Sequence, residues 1–340
     1  MALFGRRRPR DEREGIVAFW AWWAQARDQV DAALEREEDD LRKLHRALTE
    51  RVHGIHPELA WELTKGRRAR RALVLSPEGS PTLRPLTERW LRAGPGPDST
   101  WEYHAARQPD PAAYQGEVPL GGGVFRPGAA RFGIDTDTER ARVHVSVWHP
   151  EFERMEEAIR LQASFLLLDW ALGEDDVERW LGEIRVSREE EPDDVTGLRD
   201  AVTGLAALFS GDEWTQIEGF DDDARPVLAR VKVPFPRLDH PLFDLHGAIG
   251  IPFPPGDGGF PSDPDAASLD AMAERLSGRL GSSAALVAVV TKPGLRTLHL
   301  YADQNGVVPD QVAAWATQQA RPVHPQWRPD PGWEAIRPLY

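Results

Sequence analysis

Asp169 is the residue whose surroundings ask most of its chemistry. It stands in the run Leu166-Leu167-Leu168-Asp169-Trp170-Ala171-Leu172-Gly173-Glu174, apolar up to the closing glutamate except for this one carboxylate. On a helix, an acid in the last turn faces the negative end of the dipole, and burial adds a desolvation cost, so the group needs a partner. Two roles are open. With His149 or Glu174 it would accept a proton or hold a ligand, a hydrolase-like arrangement of a strand end meeting a helix end. Alternatively it is architecture, bonded to backbone amides or to an arginine.

Asp239, His240, Asp244 and His246 form the densest group of donors for a hard metal. On a strand Asp244 and His246 share a face, with Asp239 and His240 approaching from a loop. The group has no spacing specific to any metal and is read as surface polar residues, so neither a metal nor a cofactor is expected. Asp135, Asp137 and Glu139 alternate as in a calcium loop but lack its glycine and closing glutamate, which points to a hairpin turn. His299, in Leu298-His299-Leu300, has no nucleophile beside it and is read as a structural histidine.

Other chemistry is excluded by what is missing. The chain has no phosphate-cradling G-x-x-x-x-G-K-[ST], no G-x-S-x-G elbow and no H-E-x-x-H. Gly121-Gly122-Gly123 and Gly256 to Gly259 lack the context and spacing of a dinucleotide site and read as loops. The absence of cysteine removes thiolate nucleophiles, disulfides, Cys-ligated zinc and iron–sulfur clusters. A net charge of −14 opposes binding to polyanions, so nucleic acid is not an expected partner. Two basic clusters, Arg6-Arg7-Arg8 with Arg10 and Arg67-Arg68 with Arg70-Arg71, are read as a solvated tail and a charged hairpin turn. No apolar run reaches the length of a membrane span, and the N-terminal arginines are followed by acids instead of a signal peptide's apolar segment, so a cytoplasmic protein is expected.

The elements that must position these residues follow from periodicity. Ala141, Val143, Val145 and Val147 alternate with polar residues, predicting a strand that Pro150 stops. Met155, Ile159, Gln162, Leu166 and Trp170 then take helical spacing from Glu151 onward, with Gly173 as C-cap and a returning strand through Trp180, Ile184 and Val186. Upstream, Ile16, Trp20, Trp23, Val30 and Leu34, then Leu41, Leu44, Leu48 and Val52, predict a helical hairpin whose tryptophans serve packing, with homo-oligomerisation through that stripe as a further option. Strands are expected around Leu59 to Leu63 and Ala72 to Leu75, then a helix capped by Ser80-Pro81 and a strand at Trp101 to Ala106. Downstream, strands flank Asp221 to Arg225. Phe243 to Ile251, a helix from Asp263-Pro264 to Gly281, strands at Ala284 to Val290 and Leu295 to Tyr301 joined at Lys292-Pro293-Gly294, a helix from Pro309 and a strand at Arg321 to Trp327 give the order β-α-β-β-α-β, a ferredoxin-like arrangement.

The segment from Trp214 through Leu295-Arg296-Thr297-Leu298-His299-Leu300-Tyr301 to Asp330-Pro331-Gly332-Trp333-Glu334 resembles the bacterial domain-of-unknown-function family 695 (DUF695). The tryptophan-rich helix, Trp101-Glu102-Tyr103 and the Asp169 run resemble the extension found in its longer members. The chain departs from the pattern at Gln216-Ile217-Glu218 and in the insertion at 108 to 123. The resemblance implies no activity, cofactor or catalytic residue.

The expectation is an α+β protein. It comprises a basic lead-in over 1–14, an N-terminal domain over 15–187 with a helical hairpin and a mixed or antiparallel sheet, a linker with a short helix over 188–212, and a ferredoxin-like domain over 213–340. At 340 residues, 41% hydrophobic and 28% charged, the chain is long enough for two cores. The function expected is a non-enzymatic interaction or regulatory module with a protein partner, the alternative being a hydrolase that uses Asp169 with His149 or Glu174.

Overall fold

The structure is a computed structural model that describes residues 12–35, 38–120 and 123–340, those at 38–41 by backbone alone. The arginines at 6–10 and the glycines at 121 and 122 lie outside the described residues. Helices and sheets together give the α+β class expected. The chain forms two compact units, Met1–Arg107 and Gln108–Tyr340. Among the described residues no helix is long and apolar enough to cross a membrane.

The first unit holds α1 (Glu12–Ala33), α2 (Glu38–Ile55), β1 (Ala60–Lys65), β2 (Arg71–Ser76), α3 (Arg84–Ala93) and β3 (Trp101–His104). Helix α1 begins inside the expected lead-in, with Glu12 and Glu14 in its first turn, where negative charge meets the positive end of the dipole. Ile16, Phe19, Trp20, Trp23 and Val30 share a core with Leu48, Val52, Trp90 and Trp101. Trp23 donates from Nε1 to the Tyr103 hydroxyl at 2.9 Å, and Trp20 donates to the Trp90 carbonyl at 2.8 Å. The two indoles of Trp20 and Trp90 stack at 4.8 Å. Burying one such ring contributes on the order of 3 kcal/mol. The stripe is thus packing, and Trp20 and Trp23 are not available for an oligomer contact. Gly15 lets the helices close: a Cβ there would stand 2.8 Å from the Gly54 carbonyl of α2.

Strand β1 pairs antiparallel with β2, and β2 pairs parallel with β3. The expected cap at Ser80-Pro81 does not open a helix. α3 starts at Arg84 with Pro85 in its first turn, where a missing N–H costs nothing. The basic turn between β1 and β2 is organised by an acid on β3. Glu102 accepts N–H bonds from Arg67, Arg68 and Ala69 at 2.8, 2.8 and 2.9 Å and lies 3.1 Å from His104 Nε2. Burial opposes its ionisation, but these donors outweigh it and hold the carboxyl down to about 2.

The second unit opens with the hairpin β4 (Val118–Leu120) and β5 (Gly123–Phe125) and continues with β6 (Arg131–Asp137), β7 (Arg142–Trp148), α4 (Glu157–Leu172), α5 (Glu174–Trp180) and β8 (Leu181–Val186). β6 and β7 are an antiparallel hairpin. β7 and β8 run parallel, which requires a crossover, and α4 with α5 supplies it. The helix expected from Glu151 starts later because Pro150 opens a short 3-10 turn over Pro150–Arg154. Gly173, at φ 83°, caps α4 as expected, donating to the Asp169 carbonyl. Glu174, Asp175 and Asp176 then start a separate short helix that runs to Trp180, a residue expected in the returning strand.

The expected linker over 188–212 is part of this unit. Asp193 exchanges backbone hydrogen bonds with Phe132 at 2.7 and 3.1 Å. Asp194 caps α6 (Val195–Ala206) by accepting from Thr196 and Gly197, a contribution of about 1 kcal/mol. Leu198, Val202 and Leu205 are buried in one core with Phe132, Val143, Leu167, Ala229, Val231, Val287 and Trp333. A charged, proline-containing stretch reads as a linker, yet its backbone is bridged and its apolar residues are buried. The division of the chain therefore falls at 107, not at 188–212.

The large sheet comprises β9 (Glu213–Phe220), β10 (Pro226–Val233), β11 (Leu245–Pro252), β12 (Ala284–Lys292), β13 (Leu295–Ala302) and β14 (His324–Pro329), with α7 (Asp263–Leu280) after β11 and α8 (Val308–Ala316) after β13. Its order is β14-β11-β13-β12-β10-β9, antiparallel throughout. The elements from β11 to β14 follow the expected succession, but the sheet has six strands because the β9–β10 hairpin extends it beyond β12. Ile249, Ile251, Leu298 and Leu300 pack against Leu269, Leu276, Val312 and Trp315 of the two helices. On the opposite face, cross-strand neighbours set Arg328, His246, Tyr301 and Ala285 in one row and Gln326, Ala248, His299 and Ala288 in the next.

Candidate functional site

His149 is 1% exposed, its ring 4.0 Å from that of Phe125. Nδ1 accepts the Glu151 N–H at 3.1 Å, so Nε2 carries the hydrogen and donates to the Arg126 carbonyl at 2.9 Å. Burial lowers its proton affinity. Both ring nitrogens thus serve the turn at Pro150 and tie it to the strand end at Arg126. The pairing with Asp169 expected for a hydrolase is not made.

Asp169 is buried in the last turn of α4, as expected. Around it the helix's terminal carbonyls are capped one by one. Leu167 accepts from the Tyr114 hydroxyl at 2.6 Å, Trp170 from the Asp110 N–H at 2.9 Å, and Ala171 from Arg199 Nε at 3.0 Å. Glu174, also buried, begins α5 on the far side of Gly173. The structure places Asp169 and Glu174 on either side of one bend, while His149 is committed elsewhere.

The four-residue metal set separates. Asp239 closes a short turn and pairs with Arg179 at 2.6 Å. His240 stacks on Phe243 at 4.9 Å. Asp244 accepts the backbone N–H and the side-chain amide of Gln304, each at 2.9 Å. Among the described residues no group of three or more His, Asp or Glu side chains is placed to hold a metal ion. Asp135 and Asp137 lie on β6, and Asp137 accepts the Arg140 N–H at 2.9 Å, the hairpin geometry expected.

What the fold does bring together is His246 of the metal set, His299, and three residues the sequence reading did not nominate: Tyr301, Asp330 and Trp333. Pairing of β11 with β13 puts His246 Nε2 3.0 Å from His299 Nδ1. Burial pushes His246 down to about 4 and His299 down to about 3, the latter also through His246 and Arg328. Tyr301 donates to Asp330 at 2.6 Å, and burial, then that hydrogen bond, raises its phenol. Trp333 stacks on Tyr301 at 3.9 Å and donates to the Phe243 carbonyl at 2.7 Å. Asp330 also accepts N–H bonds from Glu334 and Ala335. Burial thus disfavours the charged forms of His246, His299 and Tyr301. The network fastens the segment after β14 onto the sheet. Sequence spacing carries no signal for this cluster, because strand register and the segment beyond β14 bring its members together.

The two sheet edges differ. β14 holds Pro325 and Pro329, which have no N–H to offer a further strand. β9 contains no proline, and no described strand pairs with its outer side. Phe220 at its end is 77% exposed, and Leu208 before it is exposed as well. Compared with protein-family models, curated proteins and solved structures, the chain matches none of them.

Proposed function

We propose that the chain is a non-enzymatic interaction or regulatory module that works by being recognised by a protein partner. The observation that carries this reading is that His149, the one histidine of the hydrolase set, is spent inside the fold, as are candidates of the metal set and the structural His299. Both nitrogens of His149 meet backbone groups, Asp239 meets Arg179, Asp244 meets Gln304, and His299 meets His246. The negative charge and an open sheet edge support it further. In this reading the chain is a cytoplasmic bacterial protein related to family 695, and the sheet that contains the ferredoxin-like succession from β11 to β14 carries its recognition surface.

The test uses the full chain and its Asp169→Asn variant. Affinity capture from extract of the native cell should retain the same stoichiometric partner with both forms. Hydrolysis of a panel of ester, amide and phosphoester substrates by the wild type, lost in a folded Asp169→Asn protein, would establish the hydrolase reading instead.

A further inference from the structure

We infer that the outer edge of β9 is a docking strand for an extended segment of a cationic protein partner, one in which Lys or Arg alternates with β-branched apolar residues. The inference rests on the interaction reading above and gives it a surface and a partner chemistry.

The edge itself is the first ground. All of β9 is paired on its inner side, from Glu213 opposite Val233 to Phe220 opposite Pro226. Alternate N–H and C=O groups of an edge strand point outward, a template that proteins usually blunt with proline, bulges or a covering element. The chain applies that device at β14 and not at β9.

The two faces then specify alternation. Thr215 and Ile217 lie on the face where Ile217 packs against the rim of the large core. A β-branched apolar side chain beside them would extend that rim. Trp214, Gln216, Glu218 and Phe220 lie on the other face, where Arg230 already sits over the Trp214 ring at 5.9 Å. A cation there meets the Glu218 carboxylate and the exposed Phe220 ring.

Charge selects the partner. Around the edge Asp212 pairs with Lys232, Asp221 with Arg225 and Lys292, and Asp223 with Arg225. Glu213, Glu218 and Asp222 form no ion pair among the described residues. Glu213 instead accepts from Ser210, Gly211 and Asp212. Glu218 on β9, which accepts only from the Gln216 amide, and Asp222 in the turn beyond it are therefore the carboxylates left without a cationic partner or a backbone cage among the described residues. A second copy of a chain carrying −14 would be repelled, as would a nucleic acid, whereas a basic segment is drawn in.

The test adds an acetylated, amidated Lys-Val-Arg-Val-Lys-Val peptide, or its Glu-Val-Asp-Val-Glu-Val counterpart, to the full chain and follows binding together with amide hydrogen exchange. The basic peptide should bind, slow exchange within Glu213–Phe220, and lose roughly tenfold in affinity at high salt. Glu218→Lys, an exposed change, should weaken it by about tenfold with an unaltered melting transition. Equal binding of both peptides, protection confined to other elements, or no effect of Glu218→Lys would overturn the proposal and leave the carboxylates as blunting groups. Capture of a partner from extract through another surface, with both peptides ignored, would keep the interaction reading and discard this one.

Discussion

The phenol of Tyr301 and the carboxylate of Asp330 are both buried and stand 2.6 Å apart, joining β13 to the segment that follows β14. Tyr301→Phe removes the donor but leaves Asp330 its two backbone N–H bonds from Glu334 and Ala335. A buried carboxylate that loses one of three donors should cost about 1.5–3 kcal/mol. Urea unfolding checks the value, and a larger loss for Asp330→Ala, which orphans all three donors, checks the assignment.

The histidine pair predicts a pH dependence. His246 and His299 bind protons less readily in the fold than an unperturbed imidazole near 6.5, with Arg328 and Asp330 the charged groups facing them. Between about 6.5 and about 4 the unfolded chain therefore carries more bound protons. The contribution is fully present above about 6.5 and is lost as pH falls toward about 4, amounting to at most about 3 kcal/mol for His246. Urea midpoints measured across this window should fall with decreasing pH, and the His246→Gln, His299→Gln double variant should flatten the slope.

Glu102 predicts the opposite titrating group and a lower window. Its carboxyl is held down to about 2, so the stability it contributes is present above its ordinary value near 4.5 and is lost as pH falls toward about 2. Glu102→Gln sets an amide donor against the N–H groups of Arg67, Arg68 and Ala69. A loss of about 2–3 kcal/mol is expected, read from the unfolding of the tryptophan-rich first unit by fluorescence.

Gly247 of β11 lies beneath Trp327 of β14, its cross-strand neighbour. A Cβ there would come within 2.5 Å of the indole. Gly247→Ala should displace that ring and cost about 1–3 kcal/mol, visible as a lowered thermal midpoint and a changed near-UV circular dichroism of tryptophan.

Strong period made much of this fold legible in the sequence. Trp20 and Trp23 were readable as packing, Leu269, Met272 and Leu276 as the inner face of α7, and Pro293-Gly294 as a turn, where Gly294 has φ 76°. The short helix α5 was not readable, because an acidic seven-residue segment carries too little apolar pattern. The span 188–212 misled because its attachment is made by the backbone at Phe132 and Asp193, which composition does not express. At the site, His246 and His299 were each visible, but their meeting depends on strand register across 53 residues. His149 stands out in sequence through its flanking strand and helix, while its role is set by the turn at Pro150.

The proposed role is recognition by a protein partner in place of catalysis. Its most direct measurement is amide hydrogen exchange on the full chain, free and in the complex captured from native extract. The prediction is a stoichiometric partner and slowed exchange along Glu213–Phe220, with the His246 and His299 strands unchanged. A chain that captures no partner, or a complex whose protection is centred on Asp169 and accompanied by substrate turnover, would contradict it.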